Sequence, residues 1–146
     1  MEVRLFLFMQ ISAYKHIGDY MDFAQVFKAL GDETRLRILN LFLQSGERIC
    51  VCEIVDALLL PQYKISKSLT MMKHAGLMVS SQKGTWVSYQ PNPEATPCMK
   101  DLFRIIQNHF KGRYPEDLQR LRDRLALREN GVCVIGFASK GKKCNS

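Results

Sequence analysis

Residues 54–90 read IVDALLLPQYKISKSLTMMKHAGLMVSSQKGTWVSYQ, and the apolar period changes twice within this stretch. Ile54 and Leu58 suit one short helix, and the Leu59-Leu60-Pro61 break that follows puts proline where the first turn of another helix accepts it. From Gln62 to Ala75, Ile65, Leu69 and Met72 line one helical face, while Lys64, Lys67, Ser68, Met71 and Lys73 lie elsewhere, and Gly76 closes the element. After Gly76 the pattern turns extended. Leu77–Gln82 and Thr85–Gln90 flank Lys83-Gly84 as two arms of a β-hairpin, which Pro91-Asn92-Pro93 terminates. Helix, turn, helix and hairpin, in that order, predict a winged helix-turn-helix.

Such a fold places its second helix in the DNA major groove and its hairpin tip on flanking phosphate. The charge pattern agrees. Between Ala57 and Pro93 stand four lysines and no Asp or Glu. Lys64, Lys67, Lys73 and Lys83 are therefore candidates to neutralise phosphate. Gln62, Tyr63, Ser66, Ser68 and Trp86 are candidates for contacts to phosphate or base edges, with Thr70 nearby.

Outward from this centre the elements are helical. Phe23, Val26, Phe27 and Leu30 form one apolar stripe, which Gly31 ends, and Asp32 is placed to cap the next helix. Thr34–Gln44 is apolar almost all round, as suits a helix at the centre of the domain, and Ser45-Gly46 stops it. The β-branched start of Ile49-Cys50-Val51 could pass for a strand but reads better as the entry to the helix containing Ile54 and Leu58. Downstream, Met99, Leu102, Phe103, Ile106 and Phe110 mark an amphipathic helix. Gly112 and Pro115 separate it from a charged helix, Glu116–Glu129, with Leu118, Leu121 and Leu125 on one side. The expected fold class is mainly α with a small β-hairpin. The expected organisation is an N-terminal extension (1–20), a winged helix-turn-helix domain for DNA binding and dimerisation (21–112), and a C-terminal helix with a Cys- and Lys-containing tail (113–146).

The whole-chain composition narrows the function. A chain of 146 residues with 47% hydrophobic and 24% charged residues holds one core. Its net charge of +7 favours a polyanionic partner. The apolar run Leu5–Met9 falls well short of the roughly 20 residues that span a bilayer, and no secretory signal is evident, so a cytoplasmic protein without membrane association is expected. Both Met1 and Met21 remain open as the start. Five cysteines, an odd number, argue against a disulfide scaffold. His16, His74 and His109 are scattered, no nucleophile–histidine–acid spacing occurs, and no phosphate-binding glycine loop is present. No enzyme and no bound cofactor are expected.

Several segments together resemble the ArsR/SmtB-type winged-helix repressors, in particular their arsenic-sensing branch. They are Phe27-Lys28-Ala29-Leu30-Gly31-Asp32-Glu33-Thr34-Arg35-Leu36-Arg37-Ile38-Leu39, Ile65-Ser66-Lys67-Ser68-Leu69, Ala75-Gly76-Leu77-Met78 and Trp86-Val87-Ser88-Tyr89-Gln90-Pro91-Asn92-Pro93, spread over about half of the chain. The resemblance implies a homodimer that occupies double-stranded operator DNA of a resistance operon until a metal or metalloid releases it. It also implies an interface made by the first and last core helices, here Asp22–Leu30 and Ala95–Phe110.

In the arsenic- and soft-metal-sensing members a Cys-Val-Cys stands where this chain has Cys50-Val51-Cys52, at the start of the helix before the recognition helix. Thiolates select thiophilic ions, so As(III) or Sb(III) is the expected inducer, with Cd(II) or Pb(II) as alternatives. The commonest arsenic pattern has a third cysteine at the position occupied here by Val55, which leaves Cys98, Cys133 and Cys144 as candidates for a third ligand, with two thiolates completed by solvent or an exogenous thiol equally open. Zinc-sensing relatives carry an Asp and a His two apart on the last helix, whereas here Asp101 is followed by Leu102 and Phe103. Two residues apart on an α-helix is about 200° of rotation, so the two sulfurs are expected on opposite sides, and chelation of one ion by both must unwind or re-pitch that first turn. A thiol redox switch built on the closely spaced cysteines is the reading of a different class.

Overall fold

The computed structural model describes residues 22–136. The expected N-terminal extension, both candidate starts, Cys144 and the end of the tail lie outside them. The described chain folds as α1 (Phe23–Leu30), α2 (Glu33–Ser45), β1 (Ile49–Cys50), α3 (Val51–Leu58), α4 (Gln62–His74), β2 (Met78–Lys83), β3 (Trp86–Pro91), α5 (Pro97–His109) and α6 (Pro115–Leu125).

The caps follow the sequence. Asp22 accepts from the Gln25 N–H at the start of α1, and Asp32 accepts from the Arg35 N–H at the start of α2, each such cap being worth about 1 kcal/mol. Gly46 ends α2 in the left-handed region (φ 69°). The central position expected for α2 is observed: Ile38, Leu39, Leu41 and Phe42 are fully buried against residues of every other helix. Between α3 and α4 the chain reverses through Leu59-Leu60-Pro61, with Leu59 itself left-handed (φ 54°).

The sheet differs from the expected hairpin in two respects. It has three antiparallel strands in the order β1-β3-β2, because Ile49 and Cys50 pair with Tyr89 and Ser88. The β-branched entry to α3 is thus a strand, drawn out by the free edge of β3. The hairpin turn is also shifted by one residue. Lys83 pairs with Trp86, leaving Gly84-Thr85 as the turn, with Gly84 supplying the positive φ (63°) that a side chain resists.

The boundary drawn at residue 112 does not separate two packing units. Leu121 of α6 is buried in the same core cluster as α2, and Leu118 and Leu125 pack against it. Charged groups dock the rest of α6. Asp117 accepts from Arg37 on α2 (2.7 and 2.8 Å) and from Arg120 (2.7 Å), and Arg120 donates to the Ala57 carbonyl of α3 (2.6 Å). The charged residues that make α6 read as a surface helix are those that fasten it down.

Candidate functional site

The strand-to-helix junction at residues 50–53 is built from both ends of the described chain. Cys50 is the N-cap of α3, with extended backbone (φ −83°, ψ 158°), and Cys52 lies in the first helical turn. Beyond α6, Asn130 (φ 52°) and Gly131 (φ 73°) form a two-residue reversal closed by paired hydrogen bonds between Glu129 and Val132, the backbone signature of an Asn-Gly hairpin turn. That turn sends Cys133 back onto the start of α3. The Cys133 Sγ lies 3.6 Å from the Cys52 Sγ, and within 4.8 Å of the Cys50 Sγ and a Glu53 carboxylate oxygen. All three cysteines are buried, with Trp86 packed on them.

This overturns one expectation. Since Cys50 precedes the helix instead of lying within it, the two sulfurs of Cys50-Val51-Cys52 are not splayed by helical rotation. Both reach Cys133 while α3 stays regular. Sulfurs bonded to one atom at about 2.3 Å and roughly right angles lie about 3.3 Å apart, so the 3.6 Å pair is close to chelating separation. Of the candidates for a third sulfur, Cys133 joins the pair, and Cys98, half-buried at the start of α5, does not.

Arginines hold this nest together. Glu53 is fully buried, and its carboxylate accepts from the Cys50 N–H (2.9 Å) and from Arg128 Nε and Nη2 (both 2.8 Å). Both oxygens of Glu53 are therefore committed to structure, which leaves the thiols as the groups suited to a soft ion. Arg124 pairs with Asp56 of α3 (2.7 Å) and donates to the carbonyls of Ile135 and of Gly136 (the latter at 2.7 Å), fixing the segment that carries Cys133. Arg120, Arg124 and Arg128 thus grip α3 at every fourth residue, from its C-terminal end to its N-terminal end. The sequence reading assigned no role to Glu53, Arg124 or Arg128. The four-residue arginine stride and the Asn130-Gly131 pair were the available signals.

Charge in the nest is unequal. Hydrogen bonds from the Cys50 and Cys52 thiols, with help from the nearby Arg124 guanidinium, pull the Cys133 thiol far below its ordinary value despite burial. Hydrogen bonding to Cys133 and burial push Cys50 and Cys52 up. Of the three, Cys133 is the sulfur whose surroundings most favour the thiolate. A cleft of about 190 Å³ opens onto Cys50 and Cys133, with Trp86, Arg48, Lys83 and Arg128 among its walls.

The expected DNA-facing residues divide. Gln62, Tyr63 (74% exposed), Lys64, Lys67 and Lys73 are exposed on α4, and Lys83 is exposed beside the hairpin turn. Lys73 donates to the Ser80 hydroxyl (2.7 Å), tying α4 to β2. Ser66 is half-buried, and its carbonyl accepts from the Thr70 hydroxyl. Two residues depart from expectation. Ser68 is buried (5% exposed), because with Ile65, Leu69 and Met72 it completes the inward face of α4. Trp86 is half-buried against the cysteines instead of projecting from the wing.

Residues 32–79 match the family model described as bacterial regulatory protein, arsR family. The arsenic resistance transcriptional regulator ArsR1 of Pseudomonas putida is 42% identical over 91 residues, covering 62% of this chain and 70% of that protein. The arsenical resistance operon repressor of Escherichia coli is 44% identical over 69 residues, 47% of this chain and 58% of that one. A cadmium resistance transcriptional regulatory protein (CadC homolog) of Staphylococcus aureus is 34% identical over 74 residues, 51% of this chain and 60% of that one. With the winged helix-turn-helix in place and relatives matched over most of their own length, the chain belongs to the arsR family of bacterial regulatory proteins.

Proposed function

We propose that this protein is a homodimeric repressor of a metal(loid)-resistance operon, released from operator DNA when As(III) or Sb(III) is captured by Cys50, Cys52 and Cys133. The observation that carries the reading is the meeting of three buried sulfurs at the start of α3, the helix that hands the chain to α4. The site touches both elements expected on DNA. α3 is joined to α4 by Leu59-Leu60-Pro61, while Cys50 pairs with Ser88 of the wing strand and Trp86 packs on the nest. A ligand that redraws the sulfur positions shifts helix and wing together, so ligand and operator oppose each other's binding, as linkage requires. Exposed Phe23 and Phe27 on α1 and Ile105 on α5 support a dimer through these helices.

Operator binding titrated in parallel with As(III), Cd(II) and Zn(II) tests the inducer. Release by As(III) at the lowest concentration is expected, and release by Zn(II) alone overturns the reading. On the DNA side, Lys64→Ala and Lys67→Ala should weaken binding similarly for all sequences, each lowering the slope of log affinity against log salt by about 1.

Cd(II) is the second reading, favoured by the all-sulfur nest and the cadmium-named relative. Proton exchange separates the two. Three sulfurs condensing with As(OH)₃ form three waters and take up one proton for each thiolate among them, whereas binding Cd²⁺ releases one proton for each thiol, so Cd²⁺ releases three more protons per site whatever the resting ionisation. Calorimetry in buffers of different ionisation enthalpy should show about three more protons released per site with Cd(II) than with As(III). Net proton release with As(III) would contradict capture by three sulfurs alone.

A further inference from the structure

The contact between Cys52 and Cys133 has a chemistry of its own, independent of any ion. Their sulfurs are 3.6 Å apart, on segments 81 residues apart in sequence, and both are free thiols. A disulfide needs the sulfurs at about 2.05 Å, a closure within reach of small side-chain rotations. The two cysteines are not equally reachable. The cleft beside Trp86 opens onto Cys133 and Cys50, and Cys52 is not among its lining residues. A small oxidant entering the cleft therefore meets Cys133 first, with Cys52 in contact behind it. Cys50, two residues earlier and paired to the wing strand, is held by its backbone to Ser88 and Glu53.

We propose that Cys52 and Cys133 form a reversible disulfide on exposure to a hydroperoxide, so that the thiol nest has a redox input besides the ligand read above. In the first step the Cys133 sulfur attacks a peroxide oxygen and the O–O bond breaks. This forms a Cys133 sulfenic acid, and the leaving hydroxide takes a proton and departs as water. In the second step the Cys52 sulfur attacks the Cys133 sulfur, the S–O bond breaks, and the hydroxyl leaves with the Cys52 proton as a second water. Two thiols are oxidised by two electrons and one peroxide is reduced to two waters. A thiol reductant reverses the bond by exchange.

The consequence is regulatory. The oxidised nest keeps one free thiol, Cys50, and so cannot offer three sulfurs to an ion. Capture of a thiophilic ion by the three cysteines would then operate only while the nest is reduced. This consequence rests on the metalloid reading, whereas the disulfide itself does not.

The test uses the full chain with Cys98→Ser and Cys144→Ser, which leaves the three cysteines of the nest as the only thiols. Treatment with equimolar hydrogen peroxide should lower the monomer mass by about 2 Da and yield a peptide cross-linked between Cys52 and Cys133, lost again with dithiothreitol. Adding Cys50→Ser should leave the cross-link intact, and adding Cys52→Ser should abolish it. A Cys50–Cys52 or Cys50–Cys133 cross-link, a bond between chains, or unchanged mass would overturn the proposal. The peptide map of the background protein decides this even if a further variant fails to fold. As(III) binding by the reduced protein, followed by sulfur-to-arsenic absorbance, is measured separately. Its failure would remove the metalloid reading and leave the disulfide result standing. If both hold, oxidation should cut As(III) binding capacity at least tenfold.

Discussion

Cys133→Ser protein is expected to bind operator DNA within about twofold of the parent and yet to need roughly 100-fold or more additional As(III) to leave it. The first half follows from position. Cys133 lies beyond α6, outside α4 and its exposed lysines, and serine is close in size. The second half follows from coordination. Removing even an outer-shell partner of a bound metal costs about 10–100-fold in affinity, and the Cys133 Sγ lies 3.6 Å from that of Cys52 and within 4.8 Å of that of Cys50. Cys50→Ser and Cys52→Ser should behave alike, still repressing and failing to release. Cys98→Ser is the control and should leave the response unchanged, since Cys98 sits at the start of α5 outside the nest. Fluorescence anisotropy of labelled operator reads all four proteins. Release of the Cys133→Ser protein at parental As(III) concentrations would remove that cysteine from the site.

The second large effect is on stability. Arg128→Met strips a fully buried Glu53 carboxylate of both its side-chain donors, leaving the Cys50 N–H. Breaking a buried pair from one side costs about 3–5 kcal/mol, because the remaining charge stays desolvated. In a chain of this size that corresponds to a fall in melting temperature on the order of 10 °C. Replacing both partners should cost far less, so the double variant Glu53→Gln, Arg128→Met is expected to recover most of the loss. Urea unfolding of the three proteins measures this. A single variant within about 0.5 kcal/mol of the parent would show that the pair is open to water and contributes little.

The elements set by local pattern were legible in the sequence. α4 and the wing were found because the apolar period changes at Gly76, and α2 because its apolar residues surround it. Errors arose where the partner decided the outcome. Ile49-Cys50 is a strand because β3 offers an edge, and nothing within residues 49–51 shows that edge. Ser68 completes the i, i+3, i+4, i+7 series with Ile65, Leu69 and Met72, so its burial was readable from spacing, but its hydroxyl argued for the surface. Trp86 is a candidate for DNA contact by its place in the hairpin, while its packing is set by the cysteines opposite. The nest was half visible. Cys50-Val51-Cys52 stands out in the sequence, whereas the approach of Cys133 depends on one turn at Asn130-Gly131 and on arginines whose partners lie on α3. Arg124 and Asp117 are buried because each has found an opposite charge, a pairing that a list of charged residues does not reveal.

The return of Cys133 gives synthesis of this chain an order. The ribosome makes the recognition helix and the wing well before residue 133, so the DNA-reading residues are in the polypeptide before the third sulfur of the nest is added. On the proposed reading, a chain ending just after Arg128 would keep the Glu53 pair and lack Cys133, and it is expected to hold its promoter without answering to As(III).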